Sequence, residues 1–157
     1  MKTIAFLCVL ASPLAGNAQT DSLFHTASNA PDSGETYSIT ITVRNIRNHD
    51  GVIRFKFFDD ETPFPDKTGF RKIVVPKSLV TGDSLQVTYG GFFSKNMGIA
   101  LLDDENSNWQ LDFGWFLPKE GHAFSDYYHT ALRRPVYGDF RFLLTGNKRV
   151  VMRMKYY

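Results

Sequence analysis

The sequence has almost no cysteine, since Cys8 is the only one among its 157 residues. Cys8 lies in an apolar stretch near the N-terminus, so the rest of the chain has none. A disulfide-stabilised fold, common among small exported domains, is therefore excluded. The remaining chain must be stabilised by its hydrophobic core alone. Aromatic residues, 15% of the sequence, supply large side chains for that core.

Three further absences exclude classes of protein. No apolar run after residue 18 approaches the roughly 20 residues of a membrane-spanning helix, so we expect no transmembrane segment in the mature chain. The formal net charge of +2, or +1 without Lys2, is too small for a dedicated nucleic-acid partner. Ser125 lacks a G-x-S-x-G context and no other catalytic motif is found, so we expect a protein that is not an enzyme.

The first 18 residues have the three parts of a signal peptide. Lys2 gives a positive start, residues 4–14 are apolar, and Gly16-Asn17-Ala18 supplies small residues before a cleavage site. Eleven apolar residues are too few to cross about 30 Å of hydrocarbon. Cys8 lies inside the apolar run rather than after it, which disfavours a lipoprotein. We predict cleavage after Ala18 and export to the periplasm, the cell surface or the extracellular space.

The rest of the chain divides into a linker and one domain. Residues 19–35 are polar and turn-rich, which predicts a flexible linker. From residue 36 to 157 the pattern favours strands, with period-two alternation in residues 37–43, 52–58, 70–75, 84–89, 98–102, 139–144 and 149–156. We therefore predict an all-β domain, an antiparallel β-sandwich of about seven strands, immunoglobulin-like or prealbumin-like.

The first two strands are predicted to pair with each other. They are separated by Asn48-His49-Asp50-Gly51, and an Asp-Gly pair tolerates the positive φ of a tight turn. We expect residues 52–58 to be the hairpin partner of residues 37–43.

Residues 101–112 contain an unusual row of oxygen-bearing groups. Relative positions 1, 3, 5 and 9 carry side-chain oxygens, and position 7 adds a backbone carbonyl; these residues are Asp104, Asn106, Asn108, Asp112 and Gln110. Calcium takes six to eight oxygen ligands, and this spacing matches the first two-thirds of an EF-hand loop. We therefore predict a candidate calcium site here, to which Glu120 or Asp103 could add a further ligand.

A structural turn is the alternative for the same residues, because Asn and Asp side chains also bond to nearby backbone groups. Trp109 stands at position 6, where an EF-hand loop has glycine, and Trp115 stands at position 12, where it has a bidentate glutamate. Two of the four side-chain ligands are neutral amides, which lowers the charge that attracts a cation. Both interpretations stay open on the sequence.

Two motifs in this region resemble a family of exported bacterial proteins, domain of unknown function 2141. The motifs are Asp104-Glu-Asn-Ser-Asn-Trp-Gln-Leu-Asp112, and Pro118-Lys-Glu-Gly121 followed by Phe124-Ser125. Members have a D-E-N-x-N-x-x-x-D loop and then a G-x-P-x-E-G-x-x-F-S segment, and the resemblance covers about residues 37–157. It implies an exported β-sandwich and leaves the function open, because the family has no established activity.

The chain departs from the family pattern at three places. Asp103 stands where the family usually has histidine, and Trp109 stands where glycine is common. Phe116-Leu117 lengthens the segment between Gly114 and Pro118 by one residue. The Trp109 departure bears most directly on a tight metal loop.

Other candidate sites are weaker. His122, Asp126 and His129 have the residue types of a transition-metal site, but they lack the closely spaced pairs of strong zinc sites. Glu120 with Asp112 has the residue types of a glycosidase acid/base pair. The region is also rich in aromatic residues, which either plug the end of the sandwich or form a binding surface: Trp109, Phe113, Trp115, Phe116, Phe124, Tyr127 and Tyr128.

These observations favour an exported, non-enzymatic binding or structural domain of the cell envelope, stabilised by calcium if the loop binds it. Its expected partner is an envelope protein or a glycan, and the candidate binding surface is Trp109, Trp115, Phe116 and Glu120. Two alternatives are a glycan-acting hydrolase that uses Glu120 and Asp112, and an accessory subunit of a surface complex that docks through Lys- and Arg-bearing edge strands.

Overall fold

The computed structural model describes residues 34–110, 112, 118–130 and 133–157. The predicted signal peptide, residues 1–18, and nearly all of the predicted linker, residues 19–35, lie outside the described residues. Residues 34–36 have no regular structure, and the first strand begins at Tyr37.

The described part of the chain is almost entirely β-structure. Its strands are β1 (Tyr37–Arg44), β2 (Val52–Asp59), β3 (Arg71–Pro76), β4 (Leu85–Phe92), β5 (Lys95–Asp104), β6 (His122–Phe124), β7 (Phe142–Leu144) and β8 (Lys148–Arg153). A 3-10 turn, Lys77–Leu79, and a four-residue helix, α1 (Tyr137–Phe140), are the helical elements described. Among the residues described, no helix has the length and apolar character needed to cross a lipid bilayer.

The strands form two sheets, as the alternating sequence predicts. One sheet has the order β4-β1-β8, and the other has the order β3-β2-β5-β6 with β7 pairing to β5. Alternate residues of β1 and β2 are fully buried and belong to one hydrophobic cluster, with Ile39, Ile41 and Val43 from the first sheet and Ile53 and Phe57 from the second. The cluster is the core between the sheets, so the predicted all-β sandwich is confirmed.

The predicted hairpin between the first two strands is wrong. β1 pairs with β4 and β8, whereas β2 pairs with β3 and β5. Residues 45–51 carry the chain from one sheet to the other, and the Ile46 N–H donates to the carbonyl of Asp83 at 3.0 Å. Period-two alternation shows that each strand buries one face. It does not show whether the two strands pair within one sheet or pack against each other across the core.

Three local differences from the predicted strands have simple causes. The segment 139–144 begins inside α1, and its strand part is only β7. β6 is only three residues long, too short to show a period of two. β8 runs parallel to β1, so the sandwich is not wholly antiparallel. None of these changes the two-sheet architecture.

Candidate functional site

The candidate loop starts where the central strand β5 ends. Asp103 and Asp104 are the last two residues of β5, and both are 0% exposed. The turn before β2 lies directly against this point, because a Cβ added to Gly51 would lie 2.1 Å from the carbonyl oxygen of Asp104. Gly51 has φ 77°, which a side chain would also disfavour. Glycine at this position therefore lets the two segments pack backbone to backbone.

A buried ion pair stabilises the start of the loop. Lys77, 0% exposed, places its Nζ 2.7 Å from Asp103 Oδ1 and also donates to the side-chain oxygen of Asn48. The Tyr156 hydroxyl donates to Asp103 Oδ2 at 2.6 Å. Burial raises the pKa of Asp103, while the hydrogen bonds from Lys77 and Tyr156 act in the opposite direction. Burial also raises the pKa of Tyr156 well above its usual value, so its hydroxyl stays a donor.

A second ion pair, Arg47–Glu105, helps connect the start of the loop with the segment that follows it. Arg47 Nε and Nη2 each lie 2.6 Å from a carboxylate oxygen of Glu105, and this hydrogen bonding lowers the pKa of Glu105. The same guanidinium donates to the carbonyl of Lys119 at 3.0 Å. It also lies over the Tyr156 ring, 4.4 Å from its centroid. Arg47 therefore links the residues before and after the loop to the C-terminal segment.

Asp104 organises the first half of the loop. Its Oδ1 accepts the N–H of Asn108 and its Oδ2 accepts the N–H of Trp109, both at 3.0 Å. Arg54 Nη1, from β2, lies 3.2 Å from the same Oδ2. The carboxylate therefore fixes the backbone of the loop and has one cationic neighbour.

The structure brings together the polar side chains that the spacing predicts. Asn106 Nδ2 donates to Asp112 Oδ2 at 2.6 Å, and Asn108 Nδ2 donates to Asp112 Oδ1 at 3.0 Å. The side-chain oxygen of Asn108 accepts the N–H of Gln110 at 2.8 Å. These bonds are those of a polar turn, and they also place three candidate calcium ligands side by side. Gln110 is exposed at the outer side of the loop.

Glu120 lies beneath this loop. It is 3% exposed, and its Oε2 accepts the N–H of Asp112 at 3.1 Å. Within the described part of the chain, its buried Oε1 has no hydrogen-bond partner. Burial raises the pKa of the Glu120 carboxyl, as do the negative charges of Asp104 and Asp112, against the backbone N–H groups of Asp112 and Glu105.

Trp109 is the most exposed large apolar side chain among those described, at 62%. Its backbone is left-handed, with φ 67°, a conformation that favours glycine. The Arg54 guanidinium lies 4.9 Å from the centroid of its ring. The other predicted surface residues, Trp115 and Phe116, lie outside the described residues.

The predicted transition-metal set does not come together. Tyr127 bonds to His129 Nδ1 at 3.0 Å, and His129 Nε2 bonds to the carbonyl of Arg133 at 2.7 Å, so both ring nitrogens are used within the fold. Asp126 accepts the N–H of Val151 at 2.8 Å. In the described ranges no group of three His, Cys, Asp or Glu side chains is arranged to hold a metal ion. Burial, with Lys155 and His129 nearby, lowers the pKa of His122 to about 4.

The aromatic residues of this region do not act as one group. Phe124 is 5% exposed and belongs to a buried cluster with Phe58 and Phe140, so it is core. Tyr128, 46% exposed, borders an open depression of about 310 Å³ with Asp126, Tyr127, Val151 and Arg153. Phe113 lies outside the described residues. Of the predicted aromatics that lie among the described residues, only Trp109 is both exposed and part of the acid-amide loop, residues 104–112.

Sequence analysis did not identify the three basic residues that form ion pairs at this site. Arg47 and Arg54 lie in and after the inter-sheet crossing, and Lys77 lies in a separate turn. The available signal was Asp103 at the end of an otherwise apolar strand, because a buried carboxylate needs a cationic partner. The sequence does not say which of 18 Lys and Arg residues provides it.

Comparison with known proteins places the chain in a family. No curated protein matches it, and no solved structure matches it. The model of the family described as "Uncharacterized protein conserved in bacteria (DUF2141)" matches residues 41–152, which include most of both sheets and the whole candidate loop. The chain therefore belongs to this bacterial family, as its loop motifs indicate.

Proposed function

We propose that this chain is an exported, non-enzymatic binding domain of the bacterial cell envelope, and that it presents Trp109 and the adjacent amides to a surface glycan. The observation that carries the proposal is the exposed, left-handed Trp109. A left-handed backbone costs a residue with a side chain about 1–2 kcal/mol. A tryptophan kept exposed at that cost has no stabilising role in the core, and such strain is concentrated at functional sites.

The surroundings of Trp109 support a glycan as the ligand class. A tryptophan ring offers a flat apolar face for the C–H groups of a sugar, and its edge can donate a hydrogen bond. Exposed amides and hydroxyls lie next to it in the loop, on Asn106, Ser107, Asn108 and Gln110. Such groups bond to sugar hydroxyls. The Arg54 guanidinium, 4.9 Å from the ring centroid, holds the ring in place through a cation–π contact.

The contacts of the candidate catalytic groups support a binding role over catalysis. Ser125 is 1% exposed, accepts the N–H of Ile99 and donates to the carbonyl of Phe140, so its hydroxyl is engaged in the fold. Glu120 is 3% exposed, which keeps its carboxyl from a substrate in solution.

Export predicts a defined N-terminus. Cells that express the full sequence should release a chain that begins at Gln19, because the small residues at 16–18 suit signal peptidase. N-terminal sequencing of the protein from the periplasm and the medium measures this directly. An intact Met1 in the exported fraction, or retention of the whole protein in the cytoplasm, would show that residues 1–18 are not a cleaved signal.

Replacing Trp109 separates binding from stability. We expect Trp109→Gly to weaken glycan binding at least tenfold while the free energy of unfolding stays equal or rises by up to about 1 kcal/mol, because glycine removes the left-handed strain. Trp109→Ala should also lose binding but keep the strain. The measurement is a glycan panel with the exported protein, paired with urea unfolding.

Phe93→Ala is the matched control, because Phe93 is also an exposed aromatic residue, at 49%, and lies in the connection between β4 and β5. It should bind glycans like the parent protein. Equal binding by Trp109→Gly would refute the proposed surface. Turnover of a glycan that is lost in Glu120→Gln would instead identify a hydrolase.

A further inference from the structure

The outer face of the β4-β1-β8 sheet carries three arginines. Val43 of β1 is buried in the core, so the next residue, Arg44, points outward. Met152 of β8 is also buried, so Arg153 points outward on the same face, as does Arg149 four residues before it. Among the residues described, none of these three arginines has an ion pair. Four other arginines do form ion pairs with carboxylates: Arg47, Arg54, Arg133 and Arg141.

Arg44 and Arg153 are neighbours in two paired strands. β1 and β8 run parallel, and their register places Arg44 beside Arg153. Neighbouring strands lie about 4.8 Å apart, so two positive side chains share one small area of the surface. Like charges directly opposite each other destabilise a sheet. An anion held between them would remove this repulsion, and a guanidinium can hold a carboxylate through two hydrogen bonds.

The other sheet also has a like-charged pair, but one member of that pair has an acceptor. Lys56 and Lys72 are opposite each other in β2 and β3, and the Lys56 ammonium donates to the carbonyl of Lys67 at 2.7 Å. Within the described ranges, the guanidinium groups of Arg44 and Arg153 have no hydrogen bond or ion pair. Their hydrogen-bond donors are therefore available to a ligand.

Arg153 also borders the open depression of about 310 Å³, together with Asp126, Tyr127, Tyr128 and Val151. Tyr128 is 46% exposed, and the Arg153 guanidinium lies 5.4 Å from the centroid of its ring. The carboxylate of Asp126 is used within the protein, because it accepts the N–H of Val151 at 2.8 Å and lies 3.5 Å from the Nζ of Lys148. The depression therefore offers an aromatic ring next to a cation.

We propose that this face binds an acidic polysaccharide, with one carboxylate held by Arg44 and Arg153 and its sugar ring packed on Tyr128 in the depression. A tyrosine ring has a large apolar face, which suits the C–H groups of a sugar. Arg149 lies about 13 Å further along β8, since four residues of a strand rise about 3.3 Å each. A second carboxylate of the same polymer reaches that arginine.

The other side chains of the face favour a polysaccharide over other polyanions. The outward residues of β1 and β4 carry hydroxyl and amide groups, which bond to sugar hydroxyls: Ser38, Thr40, Thr42, Gln86 and Thr88. A nucleic-acid partner calls for more positive charge than the net +2 of this chain. Binding to a lipid surface increases with the apolar area that is buried, and on the described strands of this sheet Val151 is the one exposed large apolar residue.

This surface is separate from that of Trp109. Arg54, which contacts the Trp109 ring, points outward from β2 in the other sheet, since its neighbours Ile53 and Phe55 are buried in the core. Trp109 and the Arg44–Arg153 pair therefore lie on opposite outer faces of the sandwich. Binding at the arginine pair does not depend on the role proposed for Trp109.

Calorimetric titration of the exported protein with polygalacturonate at low salt tests this surface. Polygalacturonate carries a carboxylate on each sugar, and its methyl ester has the same backbone without the charges. The acid should bind at least about tenfold more tightly than the ester, and added salt should weaken its binding. Equal binding of the two polymers, or binding of neither, would overturn the proposal. So would tighter binding to single-stranded DNA, or to vesicles that contain phosphatidylglycerol, than to polygalacturonate.

Arg44→Gln separates binding from stability. This variant should bind polygalacturonate about tenfold more weakly, because one of the two guanidinium groups is lost. It should melt at an equal or higher temperature, because the repulsion from Arg153 is also lost. Lys72→Gln is the matched control, since it removes one member of the like-charged pair in the other sheet, and it should bind like the parent protein. Trp109→Gly should also bind polygalacturonate like the parent protein. Unchanged binding by Arg44→Gln would show that the arginine pair is not the site.

Arg44→Glu tests the same pair by reversing one charge. A carboxylate at this position would lie beside Arg153 and form an ion pair with it, so the melting temperature should rise. The same carboxylate would occupy the place of the ligand, so polygalacturonate should no longer bind measurably. Binding that persists in Arg44→Glu, or a lower melting temperature, would contradict the assignment of Arg44 and Arg153 as a facing pair that holds an anion.

Discussion

Replacing Lys77 by methionine is expected to lower the free energy of unfolding by about 3–5 kcal/mol, the usual cost of removing one partner of a buried ion pair. Lys77 and Asp103 are both 0% exposed, and their charged atoms lie 2.7 Å apart. Methionine fills a similar volume, so little of the loss would come from packing. The loss arises because Asp103 remains as a buried charge whose one other side-chain hydrogen bond, among the described residues, comes from Tyr156. Urea unfolding measures the change.

Two further variants make the Lys77 prediction specific. Lys148→Met removes a partly exposed lysine whose Nζ lies 3.5 Å from Asp126, so it should cost about 1 kcal/mol or less. The double variant Lys77→Met with Asp103→Asn removes both charges and should recover part of the loss. A cost for Lys77→Met no larger than that for Lys148→Met would contradict the buried pair. A strictly additive double variant would contradict coupling between the two residues.

Gly51→Ala should be nearly as damaging, with a loss of about 3 kcal/mol or more. Two costs add at this position: a side chain at φ 77° costs about 1–2 kcal/mol, and its Cβ would meet the carbonyl oxygen of Asp104 at 2.1 Å. Relief of that clash would push the start of the acid-amide loop away from the turn. We therefore expect a displaced loop together with the lower stability, and thermal unfolding measures the loss.

Gly82→Ala is the matched control for Gly51→Ala. Gly82 has a similar φ of 61°, but a Cβ there would meet nothing within 4 Å. It should show only the cost of the left-handed backbone, about 1–2 kcal/mol. If the two variants lose equal stability, the close approach between Gly51 and the loop does not matter.

The strands of this fold could be predicted from local patterns, but their pairing could not. β1 and β2 alternate cleanly because each buries one face, and this signal is local. The choice between side-by-side pairing and packing across the core depends on residues 45–51, whose path is set by distant contacts such as that of Ile46 with Asp83. The three residues of β6 add to β5 through pairing alone, and no local pattern marks them.

The candidate site, too, could be predicted only in part from the sequence. Spacing predicted that Asn106, Asn108 and Asp112 would meet, because residues two and four positions apart in a tight loop are neighbours in space. It left Glu120 and Asp103 as equal alternatives for a further ligand. The structure separates them, since Asp103 pairs with Lys77, whereas Glu120 lies under Asp112. That distinction depends on a lysine 26 positions before Asp103 in the chain, beyond any local signal.

The ion pairs fix the start of the loop in this arrangement. Lys77 neutralises Asp103, and Arg47 neutralises Glu105 and donates to the carbonyl of Lys119.

Glycan binding by the parent protein and by Trp109→Gly, measured side by side on one glycan panel, tests the central claim most directly. The parent protein should bind a surface glycan, and Trp109→Gly should bind it at least tenfold more weakly while its free energy of unfolding stays equal or rises. Equal binding by the two proteins, or binding by neither, would contradict the Trp109 surface.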